Sequence, residues 1–209
     1  MRPTYGRRSR TARVLPVGGI SLMGMIWTST GMLTAEPATR HPELVSPAVA
    51  DGLARLAPEV AETVGVTAID PALADTAAFC ERYGVAQEAS ANCDVVKGRR
   101  GGEVRFAACM VLATTRADVN GVVRRRLDVR SASFAPMDEA VALTGMEYGG
   151  ITPIGLADDW PILVDAAVVA APEVVIGGGV RGSKLFLPGR ALLALPGAEL
   201  VEGLGRTTG

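Results

Sequence analysis

The sequence has few of the side chains that form disulfides, metal sites or hydrolytic triads. Cysteine occurs three times, at Cys80, Cys93 and Cys109, and no two of them form a CxxC pair. An odd, widely spaced set argues against a disulfide framework and against a zinc site, so we expect buried, reduced thiols. The only histidine is His41, beside Pro42, where an exposed or capping role is expected. Histidine-based triad chemistry is therefore nearly excluded, and neither a metal nor a cofactor is expected.

Lysine is scarce as well, since Lys97 and Lys184 are the only lysines among 21 basic residues. The net charge of -1 hides an asymmetry: residues 1–40 contain six arginines and one acid, hence +5, which leaves -6 on residues 41–209. A mildly acidic body argues against sequence-independent coating of nucleic acid, and no DNA partner is expected. The length of 209 residues and the 48% apolar fraction are those of one globular domain.

The first forty residues allow two interpretations. A basic stretch at 7–13 followed by a moderately apolar run at 14–27 has the order of a secretory signal, although Gly18, Gly19 and Gly24 weaken it. The run is too short to span a bilayer. We favour instead an upstream extension with translation starting at Met32, because unpaired cysteines suit a cytoplasmic protein. Residues 1–40 are thus predicted to be an extension, disordered or mis-assigned, and residues 41–209 the domain.

Short helices and short strands alternate along the body of the chain. Apolar spacing predicts a helix from Ser46 and a second one that Asp70 caps and Gly84 stops. Further helices are predicted at 118–127, 136–143 and 190–195, and strands at 85–96, 104–113, 161–164, 173–176, 184–187 and 199–201. Because strands and helices do not strictly alternate, we expect an α+β fold around a mixed sheet or partial barrel flanked by short helices.

Three stretches carry a resemblance to a known family. Thr144-Gly145 followed by GGITPIG at 149–155 resembles a TGY..GGhSPhG loop, where h is apolar. PILVD at 161–165 resembles that family's short strand ending in aspartate, and VIGGGVRGSKL at 175–185 resembles its glycine-rich hairpin. In this order they identify the chain as a member of the YbaK/EbsC superfamily, which includes free-standing prolyl-tRNA editing proteins and the editing insertion of prolyl-tRNA synthetase.

The resemblance implies a deacylase and assigns roles to the loop residues. The expected catalytic loop is Gly149, Gly150, Ile151, Thr152 and Pro153. Consecutive glycines let backbone N–H groups approach a ligand closely, and proline holds the turn rigid. Fixed backbone donors of this kind can hold a carbonyl or a developing oxyanion.

Three further residues are expected to bind substrate, each with a structural alternative. Asp165 either orients a substrate amine or caps the helix that begins at Ala166. Gly178 and Gly182 either shape the pocket wall or only form a turn.

One position departs from the family pattern. Many active relatives carry a lysine on the strand before the first hairpin, where this chain has Asn92, a catalytic candidate as a neutral donor. Lys97 follows five positions later and, because strand side chains alternate, points to the opposite face. The family is thought to use substrate-assisted hydrolysis, in which the terminal ribose hydroxyl helps to activate water. A chain with Asn92 in place of the lysine can therefore still be an active hydrolase.

A basic set forms the predicted contacts with the tRNA acceptor end: Lys97, Arg99, Arg100, Arg124 and Arg130. The alternative for these residues is an ordinary solvated helix end or hairpin end. The leading hypothesis is thus a trans-acting editing hydrolase for tRNA mischarged with a small amino acid. The second is an inactive module of the same fold that binds aminoacyl-tRNA or an aminoacyl-tRNA synthetase.

Overall fold

Three β-sheets and six short α-helices are formed by residues 27–207, the part of the chain that the computed structural model describes. The basic stretch at 7–13 and most of the apolar run that follows it lie outside these residues. The helices are α1 (Pro47–Arg55), α2 (Pro58–Ala61), α3 (Thr76–Tyr83), α4 (Arg124–Arg126), α5 (Met137–Thr144) and α6 (Ala166–Ala170). Within residues 27–207, no helix has the length and apolarity that crossing a bilayer demands.

The strands are named in chain order. They are β1 (Glu36–Pro37), β2 (Gly65–Ala68), β3 (Ala91–Arg100), β4 (Glu103–Leu112), β5 (Thr115–Ala117), β6 (Ser131–Phe134), β7 (Ile162–Asp165), β8 (Val174–Gly177), β9 (Ser183–Leu187), β10 (Ala198–Val201) and β11 (Gly205–Thr207). The central sheet has the order β10-β7-β4-β3-β6, the second sheet β1-β2-β9-β8, and β5 pairs with β11. Parallel and antiparallel pairs coexist in the central sheet, which confirms the predicted α+β fold with a mixed sheet; the sheets do not close into a barrel.

The pairing of β3 leaves part of one edge open. Along its whole length β3 pairs antiparallel with β4, from Ala91 opposite Leu112 to Arg100 opposite Glu103. On its other side β6 covers only Val96–Arg99. The first half of β3 therefore has a strand on one side alone, and this open edge lies beside the second sheet, where Ser90 bridges to Val175.

The apolar core lies between the two larger sheets and under α1 and α6. Val49 of α1, Val164 of β7 and Leu185 of β9 are completely buried within it. A second cluster, including Val96, Cys109 and Leu204, packs on the opposite face of the central sheet. Because both faces are covered there, the second half of β4, residues 107–111, is apolar and completely buried.

Several predicted elements differ in the structure. The helix expected at 190–195 is a 3-10 helix, Gly189–Ala194, and the one expected at 118–127 is a π-helical turn, Val119–Val123, followed by α4. The helix expected after Asp70 is divided: Asp70 caps only a 3-10 turn at Pro71–Leu73, and Asp75 caps α3 by accepting from the N–H groups of Ala77 and Ala78. The strand expected at 85–96 begins at Ala91, because Gln87–Ala89 forms another 3-10 turn. Short turns of this kind have weak sequence signals and are stabilised by what packs around them.

Residues 27–40, which the sequence assigned to an extension, belong to the folded unit. Trp27 is buried, its ring lies against Gly65, and its Nε1 donates to the carbonyl oxygen of Thr63 at 3.1 Å. Glu36–Pro37 pairs with β2, and Ala38 is buried in the main core. Residues 27–40 thus pack on the domain that the sequence predicted to begin at residue 41, and a chain beginning at Met32 would lack the buried Trp27.

Candidate active site

A cavity of about 470 Å³ opens beside the unpaired edge of β3. Most of its lining comes from four segments: α3 with its cap, the start of β3, the glycine loop and the β8–β9 hairpin. Its size lies within the range of about 300–1,000 Å³ that is typical of small-molecule sites. The cavity therefore gathers segments that are far apart in the sequence, including parts of two of the three motifs.

Asn92 lines this cavity, as the sequence predicted for a site residue. Its Oδ1 accepts a hydrogen bond from Thr76 Oγ1, at the first turn of α3, over 2.9 Å. Among residues 27–207 its Nδ2 has no protein partner, so the amide nitrogen keeps both of its donors for a ligand. Thr76 thus orients Asn92 and was missed by the sequence analysis.

The glycine loop contributes two of its five predicted catalytic residues to the cavity. Gly149 and Ile151 line it, and neither backbone N–H donates to another described residue. Gly149 has a φ of +86°, a left-handed conformation that glycine adopts without a steric penalty. Two backbone donors beside the cavity are the arrangement that carbonyl or oxyanion binding requires.

The other three loop residues do not line the cavity. Gly150 packs against the backbone of Val180, and its carbonyl oxygen accepts from the N–H of Gly179 at 2.7 Å. Thr152 is completely buried, with a hydroxyl that has no partner among the described residues. Pro153 lines a separate cavity of about 130 Å³. These residues hold the loop in place rather than forming the wall.

The β8–β9 hairpin lines the cavity with different residues from those predicted. A side chain at Gly178 would collide with Ser183, and the carbonyl oxygen of Gly182 accepts a hydrogen bond from the N–H of Ile69. Neither of these two glycines lines the cavity. Gly177, Arg181 and Lys184 line it instead. The two predicted glycines therefore shape the hairpin, as the structural alternative had it.

Lys184 extends from β9 into the wall of the cavity. Only 6% of the residue is exposed, its Nζ donates to the carbonyl oxygen of Ala74 at 2.9 Å, and it lies 5.2 Å from the centre of the Phe79 ring. Burial lowers the pKa of Lys184 to about 8. Arg181 also lowers this pKa, whereas Cys80 and Asp75 raise it. The sequence contained a signal for this residue, because it is one of only two lysines and closes the hairpin motif.

Two acidic residues also line the cavity. The carboxylate of Asp75 is occupied by capping α3. Asp94 is largely buried, which raises the pKa of its carboxyl, while Arg116 acts in the opposite direction. Next to it, burial raises the pKa of the Cys93 thiol well above its ordinary value, so the thiol is protonated and a poor nucleophile. The cavity thus contains an acid and an ammonium but no activated sulfur.

Asp165 lies outside the cavity, contrary to the pocket expected from the sequence. Its Oδ1 accepts from the N–H of Ala167 at 2.9 Å, capping α6, and its Oδ2 accepts from the N–H of Gly205 at 2.7 Å. With both oxygens bound to backbone and only 6% of the residue exposed, it has the capping role that the sequence left as the alternative.

The predicted tRNA contacts lie toward the far end of β3. Arg99 is exposed and seven residues from Asn92, a separation of about 23 Å along a strand. Arg124 and Arg130 are exposed, and Arg100 pairs with Asp128. Lys97 differs: its Nζ forms two hydrogen bonds with the carboxylate of Glu139, at 2.5 and 2.8 Å. Its ammonium is therefore committed to the fold.

Within residues 27–207 no group of three or more His, Cys, Asp or Glu side chains is arranged to hold a metal ion. The polar groups that line the cavity include the backbone of Gly149 and Ile151, the Asn92 amide, the Asp94 carboxyl and the Lys184 ammonium.

The fold is similar to those of several solved structures. A protein described as a candidate trans-editing enzyme for prolyl tRNA synthetase matches with a TM-score of 0.62 and 20% identity, over 79% of this chain and 99% of that one. A hypothetical protein matches with a TM-score of 0.61 and 21% identity, over 69% and 92%. A scaffold protein from epitope backbone grafting matches with a TM-score of 0.63 and 21% identity, over 79% and 100%. At these identities the likeness establishes the fold.

Sequence comparison assigns the family. Residues 70–195, well over half of the chain, match the family described as the aminoacyl-tRNA editing domain. The matched range contains α3, the first half of β3, the glycine loop and the β8–β9 hairpin, which are the segments that form most of the cavity lining. The superfamily predicted from the three motifs is thereby confirmed, and the chain belongs to the aminoacyl-tRNA editing domain family.

Proposed function

We propose that this protein is a trans-acting editing hydrolase that cleaves the ester linking a small amino acid to the 3′ end of a mischarged tRNA. The observation that carries the proposal is the cavity of about 470 Å³ in an editing-family chain. Asn92 lines it together with Gly149 and Ile151, whose backbone N–H groups donate to no other described residue. We further propose that it acts in the cytoplasm, where its substrate is made, and beside the synthetase that makes the error.

The charges along the cavity suit an aminoacyl ester. Such a substrate has an α-ammonium group next to the ester carbonyl and a phosphate one nucleotide away. Asp94 supplies an acid for the ammonium, and Arg181 supplies a cation at the exposed rim for the phosphate. Ala77, Ala91 and Ile151 add apolar surface for a short side chain. An editing site selects among small amino acids by size and hydrogen bonding. This second selection is needed because a synthetase discriminates only weakly between small amino acids when it binds them.

The hydrolytic step needs no protein nucleophile. Water attacks the ester carbonyl carbon, the tetrahedral intermediate collapses, and the ribose oxygen leaves with a proton to give free amino acid and deacylated tRNA. We propose that the neighbouring ribose hydroxyl of the substrate helps to orient that water, while Asn92 Nδ2 positions the ribose or the ester. The protonated thiol of Cys93 takes no covalent part.

A panel of misacylated tRNAs, each incubated with the full-length chain, tests the proposal. We expect turnover of one small-amino-acid tRNA, reduced in Asn92→Ala and unchanged in Asn120→Ala, an exposed asparagine outside the cavity. Absence of turnover across the panel would overturn the hydrolase.

A second candidate function rests on the neutral side chain at position 92, where active relatives are expected to carry lysine. A module that binds aminoacyl-tRNA without hydrolysing it would retain the cavity but would not catalyse deacylation. Tight tRNA binding by a silent parent chain, with turnover appearing in Asn92→Lys, would establish this function in place of the first.

A further inference from the structure

The two lysines of this protein have opposite environments. Lys97 is paired with the carboxylate of Glu139 through two hydrogen bonds. Lys184 is more deeply buried and, among residues 27–207, has no carboxylate within 4.0 Å. Its one hydrogen bond goes to the carbonyl oxygen of Ala74, so two of its three N–H donors have no described protein acceptor.

An unpaired buried ammonium is costly to the fold. Every residue of β9, Ser183–Leu187, is buried, and an aliphatic side chain would fit such a strand without the penalty of removing a charge from water. The lysine is nevertheless placed where its charged end meets the cavity. Local sequence choices that cost stability concentrate at functional sites.

The groups around the ammonium define what it can bind. The Phe79 ring lies against it at 5.2 Å, Gly149 and Ile151 bring backbone N–H groups to the same cavity, and Asn92 adds a neutral donor. Donors around one cavity suit an acceptor oxygen, and the ammonium favours an oxygen on which negative charge develops. In an aminoacyl ester that oxygen is the carbonyl, which becomes an oxyanion when water adds.

We propose that Lys184 is a catalytic residue of this protein, donating from its ammonium to the ester carbonyl oxygen and stabilising the oxyanion of the tetrahedral intermediate. This rests on the proposed hydrolase function. Water attacks the ester carbonyl carbon and forms the new C–O bond, while the carbonyl electron pair moves to the oxygen that Lys184 holds. When that pair re-forms the carbonyl, the bond to the ribose oxygen breaks, and the ribose oxygen takes the proton that the attacking water gives up. Lys184 remains protonated throughout.

The pH dependence has a definite sign. An oxyanion donor must be charged, so catalysis falls as pH rises through the pKa of Lys184, which burial lowers to about 8. Asp75 and Cys80 on the α3 side and Arg181 on the hairpin are the titratable or charged groups that act on it. A neutral amine acting as a general base would instead give a rate that rises through the same pH.

Single-turnover deacylation by the full-length chain, after subtraction of spontaneous hydrolysis, tests the assignment. Lys184→Met should lower the rate at saturating enzyme by about 10²–10³-fold with little change in tRNA affinity. Lys184→Arg should recover part of the rate, with no fall near pH 8. The matched control is Lys97→Met, which removes the other lysine and should keep the rate per folded molecule.

The outcomes separate the two proposals. If the parent chain deacylates no tRNA, the proposed function itself fails. If the parent is active and folded Lys184→Met is equally fast, or if the parent rate rises through pH 8, the function stands and the role of Lys184 is overturned. Thermal unfolding of each variant shows whether it is folded, and the parent pH profile decides the matter if Lys184→Met does not fold.

Discussion

Thr76 Oγ1 donates a hydrogen bond to Oδ1 of Asn92 over 2.9 Å, joining the first turn of α3 to the start of β3. The bond directs the oxygen toward α3 and leaves the nitrogen as a donor for a ligand. The first residue of a helix and a strand edge sixteen residues away thereby form one side of the proposed site.

Removing this bond should impair catalysis through Asn92. Because Thr76→Val keeps the side-chain shape and deletes the donor, we expect about a tenfold fall in kcat/KM, the equivalent of one hydrogen bond of about 1.4 kcal/mol. Asn92→Ala should have at least the same effect, and the double variant should be no worse than Asn92→Ala. Additive losses measured by steady-state kinetics would show that the two residues act independently.

Lys184 should make the stability of the fold depend on pH. Its pKa is lowered from an ordinary value of 10.5 to about 8, so between these values the unfolded chain binds more protons and stability rises with pH. Relative to Lys184→Met, the parent chain should gain about 2 kcal/mol of unfolding free energy between pH 8 and 9.5. Parallel pH curves from urea unfolding would mean that the pKa of Lys184 is the same in the folded and unfolded chain.

Asp165 should be important for stability and not for catalysis. Asp165→Ala removes the acceptor for the N–H groups of Ala167 and Gly205, so we expect a loss of about 1–3 kcal/mol in unfolding free energy. The rate per folded molecule should stay within about threefold, which corresponds to less than about 0.7 kcal/mol. A large loss of kcat at unchanged stability would return Asp165 to the substrate-binding residues.

Exposed arginines, rather than Lys97, should set the salt dependence of tRNA binding. Arg99→Ala and Arg130→Ala should each weaken affinity and reduce the slope of log K against log salt by up to about 0.9 per phosphate lost. Lys97→Met should leave the slope unchanged and lower stability, because Glu139 loses its partner. Equal slopes for all three variants, measured by filter binding over 50–200 mM salt, would exclude the arginine cluster from the interface.

Trp27 should stabilise the fold although it precedes the predicted domain boundary. Trp27→Ala removes a ring packed on Gly65 and a hydrogen bond to Thr63, so we expect a loss of about 3–5 kcal/mol. Met32→Ala, at a residue that is 67% exposed, is the matched control and should change stability by less than about 0.5 kcal/mol. A chain starting at Met32 that is as stable as the full chain would contradict this role.

The predicted elements with local signals were found where expected. Ser46 caps α1, Gly145 ends α5 and the β3–β4 hairpin turns at residues 101–102. Capping, left-handed glycine and alternation depend on neighbours in the chain, so they can be inferred from sequence. Strands β1, β2, β5, β6 and β11 were missed, because two to four residues become a strand only when a distant partner lies beside them.

The residues of the candidate site also fall into those that the sequence indicated and those that only the tertiary structure placed. The sequence alone identified the family. It also named Asn92, Gly149 and Ile151 as site candidates, and these three residues line the cavity. The same motifs also included Gly150, Thr152, Pro153, Gly178 and Gly182, since a motif does not reveal which of its residues face a ligand and which hold the loop. Asp165 could be assigned to its cap only when the backbone of Gly205 was seen to meet its second oxygen.

What the sequence determined by itself was the α+β fold class and the editing family, because periodicity and motif order are properties of the chain. Only the tertiary structure decided that Lys97 is paired with Glu139, while Lys184 lies in the cavity wall without a carboxylate partner among residues 27–207. The two lysines belong to the same residue type, and the difference between them arises from the segments that pack beside each one. Glu139 of α5 is 42 residues from Lys97, and Ala74 is 110 residues from Lys184. Burial and the distance to a counter-charge then determine which ammonium stabilises the fold and which is available to a substrate.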